Sequence, residues 1–295
     1  MKVDLHFHSK FSDGSLWPNQ LVEIASKKGI KMMALTDHDT FEGVPDFLEA
    51  TKKTNIIGIP AIEINFSDSQ FGFQSELLAY FPKGKYQNTY NFVAYYQSFR
   101  KKVVEKALEK AQKEFNTNNL SLEELVQCKI GTDYSSSLID KISLTRRDVY
   151  TYLNYKNVHH RFFDFNDFKR NFFNDVEFIK LSTYPEISEL IRVIKSDEGF
   201  PVLAHPAYQF GKDINKIESK KKEYVESLNS LKNLGLWGIE MHSYDSKDEA
   251  NNLNPIFFEF AKLCALDVTY GSDFHSEKLN SWRELGCMEG EFNGF

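Results

Sequence analysis

The chain has 295 residues, 41% of them hydrophobic, with a net charge of -6. That size can bury a full core and suits one α/β barrel domain carrying an insertion, while the acidic balance argues against a broad basic face for duplex nucleic acid. Cys128, Cys264 and Cys287 are too scattered for a zinc knuckle or a disulfide framework, and no leader or apolar run of roughly 18 residues is visible, so a soluble, cytoplasmic protein without a membrane contact is expected.

Lys2 to His8 reads as a strand whose alternation puts Val3, Leu5 and Phe7 on one face and Asp4, His6 and His8 on the other. Ser15 to Pro18 open a helix that carries Leu21, Val22, Ile24 and Ala25 to a stop at Gly29. Lys31 to Thr36 is a second strand, and Thr40 to Lys53 a second helix. Ile56 to Ile64 is a third strand, where Pro60 suggests a bend or an edge, and Leu77 to Phe81 a fourth.

From about Asn88 the pattern turns helical and polar, with Val103, Val104, Ala107, Leu108, Ala111 and Phe115 forming one apolar stripe. Leu122 to Val126, Asp148 to Leu153 and the Phe-rich Arg161 to Phe178 continue this insertion, and a helix near Ile187 to Ser196 follows. Its aromatic residues are expected to form its own core, with one or two able to stack on a nucleobase. His159 and His160 are read as non-ligands, and Trp17, Trp237 and Trp282 as packing residues.

Strand and helix then alternate: Phe200 to Ala204, Glu223 to Leu234, Gly238 to Met241, Ala250 to Leu266, and Val268 to Gly271. Such alternation implies right-handed βαβ units and a parallel sheet. Lys220 to Lys222 read as a solvated helix face.

His6, His8, Asp13, the Asp37-His38-Asp39 block, Glu63, His205, Asp273 and His275 all fall at or near predicted strand ends. In α/β barrels the loops at the C-terminal strand ends converge on one face, so ligands from both ends of the chain can meet there. Imidazole nitrogens and carboxylate oxygens without thiolates suit zinc, manganese or iron. The set exceeds what one ion takes, so two or three divalent ions are expected, with Glu63 as a natural bridge. Clustered ions activate water and clamp a phosphoryl group moving in line, which is phosphate-ester hydrolysis without a protein nucleophile. Asp37 and Asp39 read as groups that orient imidazoles or serve catalysis, Asp39 being the catalytic candidate. His242 reads as a general acid or substrate contact, or else as a structural or solvent-facing histidine.

Asp4-Leu5-His6-Phe7-His8-Ser9, Ser12-Asp13-Gly14, Leu35-Thr36-Asp37-His38-Asp39-Thr40, Ile62-Glu63-Ile64, Val202-Leu203-Ala204-His205-Pro206 and Gly271-Ser272-Asp273-Phe274-His275 stand in this order. As a set they resemble the polymerase and histidinol phosphatase (PHP) family of metal-dependent phosphoesterases. The resemblance implies a distorted (β/α)7 TIM-like barrel over 1–88 and 183–295, with a helical subdomain inserted at 89–182, and a trinuclear metal centre. By the same resemblance His6, His8, Glu63 and Asp273 hold one ion, and Glu63 and His205 a second with help from the strand at Leu77. Asp13, His38 and His275 hold the third. The subfamily it looks most like acts on nucleoside 3',5'-bisphosphates or the 5' ends of short RNA, so a small phosphorylated substrate, a nucleotide or short RNA, is the implied partner.

The chain departs from that pattern twice. Glu76 stands where the family usually has a histidine and is kept as a ligand. Ala207 and Tyr208 replace a Gly-Arg pair that contacts phosphate. Arg146 or Arg147, in a segment matching one where the family carries an arginine, is the expected replacement in substrate binding. The insertion is expected to close as a lid that excludes water. Other readings are a histidinol-phosphate-type phosphatase, an amidohydrolase-like C–N hydrolase, and a metal-binding module without catalytic power.

Overall fold

Seven strands follow one another around one sheet in chain order in the computed structural model: β1 (Val3–Asp4), β2 (Met32–Leu35), β3 (Ile57–Asp68), β4 (Phe73–Tyr80), β5 (Phe200–Leu203), β6 (Gly238–His242) and β7 (Asp267–Gly271). The structure describes residues 1–69, 73–158, 162–181, 183–276, 282–288, 290, 292 and 294–295; His159, His160 and Arg161 lie outside them. The sheet nearly closes into a barrel. Leu5 N donates to Tyr270 O at 3.0 Å, and Phe7 bridges Phe274, which joins the continuation of β1 to β7.

The helices are α1 (Pro18–Lys27), α2 (Val44–Thr51), α3 (Gln87–Glu114), α4 (Leu122–Ile130), α5 (Arg146–Tyr155), α6 (Phe165–Phe172), α7 (Val176–Leu181), α8 (Ile187–Ser196), α9 (Pro206–Phe210), α10 (Ile214–Ser219), α11 (Lys221–Leu234) and α12 (Lys247–Cys264). Helix α1 begins where Pro18, lacking an N–H, takes the first position, and the Gln20 side chain accepts the Trp17 N–H at 2.9 Å. Lys220, Lys221 and Lys222 pair with Glu223, Glu259 and Glu226 around α11, as a solvated face does. Among the described residues no helix is long and apolar enough to cross a membrane.

The chain divides into two compact units, Met1–Val93 with Tyr184–Phe295, and Ala94–Thr183. In the first, strand alternation sorts the core. Met32 and Ala34 of β2 join Val3, Leu5, Ile59, Ala61, Leu78 and Val202 in one cluster, while Met33 and Leu35 pack with Leu21, Val22 and Phe47 of α1 and α2. In the second, Val104, Ala107, Val126, Val149 and Leu153 are buried, and the rings of Phe168, Phe172, Phe173 and Phe178 pack at centroid distances of 4.8–6.4 Å. Those rings therefore make the unit's own core, whereas Phe163 is 97% exposed.

Two expectations need correction. The sheet is not wholly parallel, because β4 runs antiparallel to both β3 and β5. Only the short 69–72 stretch joins β3 to β4, and a parallel pair needs a crossover of a dozen residues or more. Pro60 marks no edge either: it sits in β3, between β2 and β4, where Leu35 is its partner and its carbonyl accepts Phe81 N at 2.8 Å.

Candidate metal centre

The alternation read in the first strand holds in space, since His6 Nε2 and His8 Nε2 stand 3.1 Å apart. Regular pairing of β1 stops at Asp4, and both imidazoles lie just beyond it. His38 follows β2, His205 follows β5, and Asp273 and His275 follow β7. Glu63 and Glu76 differ: the β3–β4 pairing runs past the barrel rim, so both carboxylates are inside strands instead of beyond them. Asp39, His205 and Asp273 take positive φ of 51°, 26° and 52°, a conformation that costs a non-glycine residue energy and that surrounding bonds must enforce.

Glu63 is the hub. Its Oε1 lies 3.0 Å from His205 Nε2 and 3.4 Å from His6 Nε2, and its Oε2 lies 3.1 Å from His38 Nδ1 and 3.3 Å from His8 Nε2. Asp273 Oδ1 faces His8 Nε2 at 3.2 Å and His6 Nε2 at 3.4 Å. Asp13 faces His275 Nε2 at 3.2 Å and both His38 Nε2 and His8 Nδ1 at 3.7 Å. Glu76 faces His205 Nε2 at 3.1 Å and His38 Nδ1 at 3.7 Å. Ligand atoms about 2.1 Å from one shared ion stand roughly 3.0–3.4 Å from each other, which is the spacing of most of these pairs.

Electrostatics give the same picture. Burial opposes charge on His6, yet Glu240, Glu63 and Asp273 raise its pKa well above the usual imidazole value. Burial likewise opposes charge on Glu63 and Asp273, but the imidazoles around them hold both well below the usual carboxylate range. His8 moves the other way, lowered by burial and by its neighbours His275 and His38. Among the described residues Asp13 Oδ1, His8 Nδ1, His38 Nδ1 and Glu63 Oε2 are buried and close to their neighbours without the geometry of a hydrogen bond, a costly condition that cations would relieve.

The loop that carries Asp13 is shaped by Asp37. Its carboxylate accepts Ser9 N at 2.7 Å, Ser9 Oγ at 2.6 Å and Ser12 Oγ at 2.5 Å, so among the described residues it braces serines instead of orienting an imidazole. Gly14 is required there, because a Cβ would collide with the His8 carbonyl. Asp39 N donates to Glu63 O at 2.8 Å, and its carboxylate meets the Asn65 N and Nδ2 at 3.4 Å. His242 is fully buried, with Nδ1 3.4 Å from Glu240 Oε2 and Nε2 3.8 Å from Asp273 Oδ2. Arg146 and Arg147 belong to the helical unit, where they lie over the Phe173 and Phe165 rings at 5.1 and 4.2 Å.

Sequence reasoning missed two residues. Glu240 Oε1 lies 2.7 Å from His6 Nδ1, and Arg283 Nη1 donates to Asp273 Oδ2 at 3.0 Å. Glu240 carried a signal, an acid inside an otherwise uncharged strand two positions before His242. Arg283 carried none.

Known proteins resemble this chain over part of its sequence, and others in its fold. A 5'-3' exoribonuclease from Haemophilus influenzae is 44% identical over 64 residues, covering 22% of this chain and 23% of that protein. A 3',5'-nucleoside bisphosphate phosphatase from Chromobacterium violaceum is 35% identical over 65 residues, with the same coverage of 22% and 23%, so the matched stretch spans about a quarter of each relative. Among solved structures, a candidate metal-dependent phosphoesterase from Bifidobacterium adolescentis superposes with a TM-score of 0.69 at 22% identity, over 96% of this chain and 90% of that one. An amidohydrolase from Chromobacterium violaceum, solved with sulfate and without metal, gives 0.61 at 20% identity over 93% and 88%. At these identities the two structures establish the fold alone. A family model, the PHP domain, matches residues 4–234, well over half of the sequence, and this protein therefore belongs to the PHP family.

Proposed function

We propose that this chain is a metal-dependent phosphoesterase that hydrolyses phosphomonoesters, of nucleotides or of short oligonucleotide ends. The observation that carries the reading is Glu63, one buried carboxylate at 3.0–3.4 Å from four imidazoles contributed by distant parts of the chain. His6, His8, Glu63 and Asp273 would hold one divalent ion, Glu63, Glu76 and His205 a second, and Asp13, His38 and His275 a third. The donor set, nitrogen and oxygen without sulfur, fits manganese, zinc or iron. When bound, such ions supply Lewis acidity toward phosphoryl oxygens and ionise water near neutral pH.

The protein's own part is positioning. Glu240 engages His6 Nδ1, which turns Nε2 toward the cluster, and Arg283 holds Asp273 Oδ2, which leaves Oδ1 toward His6 and His8. His242 is the candidate for a neutral imidazole beside the reacting groups, since burial lowers its pKa. The Asn65 contacts of Asp39 support a role in fixing the end of β2 against β3 alongside its catalytic candidacy. Arg146 or Arg147 is proposed as a phosphate contact on the chemistry of its guanidinium and on the family segment that Leu144-Thr145-Arg146-Arg147 resembles. The names of the two relatives, an exoribonuclease and a bisphosphate phosphatase, support a substrate of the nucleotide class.

The test is phosphate release by manganese-loaded protein from a panel of nucleoside 3',5'-bisphosphate, histidinol phosphate and a 5'-phosphorylated oligonucleotide. Release from at least one substrate, lost in His38→Ala, is expected. Equal release by both proteins would refute the metal-site mechanism, and no release by either would favour a module without catalytic power.

A further inference from the structure

Arg283 brings a guanidinium to the rim of the cluster, and its bonding leaves a donor in reserve. Its Nε donates to the Tyr244 carbonyl at 2.6 Å and its Nη1 to Asp273 Oδ2 at 3.0 Å. Its Nη2 donates to the Tyr208 hydroxyl at 2.5 Å and to Asp245 Oδ1 at 3.0 Å. A guanidinium has five N–H groups, so among the described residues one on Nη1 remains beyond these bonds, beside an oxygen of a proposed ligand.

Tyr208 completes the arrangement. Its ring lies 4.8 Å from that of His205 and 5.7 Å from that of His242. Because its oxygen accepts from Arg283, its own proton is left to donate. Tyr208 is 46% exposed and the Arg283 side chain 18%, so a solute can reach the pair. Lys212 Nζ pairs with Asp245 and Glu249 and lies 5.2 Å over the Tyr208 ring, which offsets the two nearby carboxylates.

A phosphoryl group held at the cluster would carry charged non-bridging oxygens that need donors besides the ions. A planar guanidinium and a neighbouring hydroxyl are suited to them, since charge-assisted hydrogen bonds are the strong ones. We propose that the remaining Arg283 Nη1 N–H and the Tyr208 hydroxyl bind a non-bridging oxygen of the substrate phosphate, forming an anion subsite between Arg283 and helix α9. This inference rests on the phosphoesterase reading above.

The experiment titrates inorganic phosphate into manganese-loaded wild type, Tyr208→Phe and Arg283→Lys by calorimetry, counts bound manganese in each, and measures KM for the best substrate of the panel. Tyr208→Phe removes one hydroxyl and keeps the ring, so it decides the matter alone if Arg283→Lys does not fold. Each variant is expected to weaken phosphate binding and raise KM about tenfold or more, with manganese content unchanged in Tyr208→Phe. Unchanged phosphate affinity in both variants would overturn the proposal. So would loss of manganese in Arg283→Lys with wild-type phosphate affinity in Tyr208→Phe, which would reduce Arg283 to holding Asp273. Weakened phosphate binding in the variants of a protein that hydrolyses nothing would uphold the subsite and refute the phosphoesterase reading instead.

Discussion

His6 Nδ1 lies 2.7 Å from Glu240 Oε1, and the other oxygen of the same carboxylate accepts the His205 backbone N–H at 2.7 Å. One buried acid on β6 thus sets the ring of one imidazole and the strained backbone of another. Removing its charge is the sharpest test of that arrangement. Glu240→Gln is expected to keep the fold by circular dichroism but to weaken manganese or zinc binding about 10–100-fold. An unchanged affinity in a competition titration would show that Glu240 does not position the site.

Glu76 stands between His205 and His38 at 3.1 and 3.7 Å. If it completes one coordination sphere, Glu76→Ala should lower bound metal by about one equivalent, and Glu76→His should restore it, since imidazole and carboxylate are both ligands of such ions. Elemental analysis after gel filtration reads this directly. Full occupancy in the alanine variant would remove Glu76 from the ligand set.

Metal loading should release protons. Burial by itself would lower the pKa of His205 and His275, but Glu63 and Glu76 beside the first, and Asp13 and Asp273 beside the second, raise both to about 10. At pH 7.5 these rings are therefore charged, where an ordinary imidazole with a pKa near about 6.5 is mostly neutral. A metal binds the neutral ring, so apparent affinity rises with pH up to about 10, and loading at pH 7.5 releases about two protons from these rings and a further one from His6, whose pKa is likewise raised. Calorimetry in two buffers of different ionisation enthalpy measures the number, and a buffer-independent heat would contradict the charged rings.

Gly271 ends β7 where no side chain fits, since a Cβ there would meet the His6 Cβ and Glu240 Oε1. Gly271→Ala is expected to destabilise the barrel unit by about 1–3 kcal/mol through overpacking. It should also weaken metal binding by prising His6 from Glu240. Urea unfolding of the metal-free protein, set beside a metal titration, separates the two effects; a neutral substitution on both would mean that the strand end yields without cost.

Helices proved legible where local signals coincide. Pro18 at the start of α1 and the Gly29 stop bounded that helix to within two residues, and Ile187–Ser196 matched its predicted span. Strands proved harder. Glu63 reads as a strand-end residue because the apolar run stops at Ile64, yet β3 continues to Asp68 through its pairing with β4. One signal for the extension was present, Phe66 continuing the alternation of Ile62 and Ile64, while the pairing with β4 carries it to Asp68.

Residue alternation, a property of the backbone alone, placed His6 and His8 on one side of their strand before any fold was known, and motif order identified the family. Barrel closure decided the rest. Only when Leu5 bonds to Tyr270 do the two ends of the chain share one rim, and only then do Glu240 and Arg283 meet His6 and Asp273. Even where a residue such as Glu240 stands out in its strand, periodicity and composition do not name its partner, because the interaction energy that selects the contact acts between residues far apart in the chain.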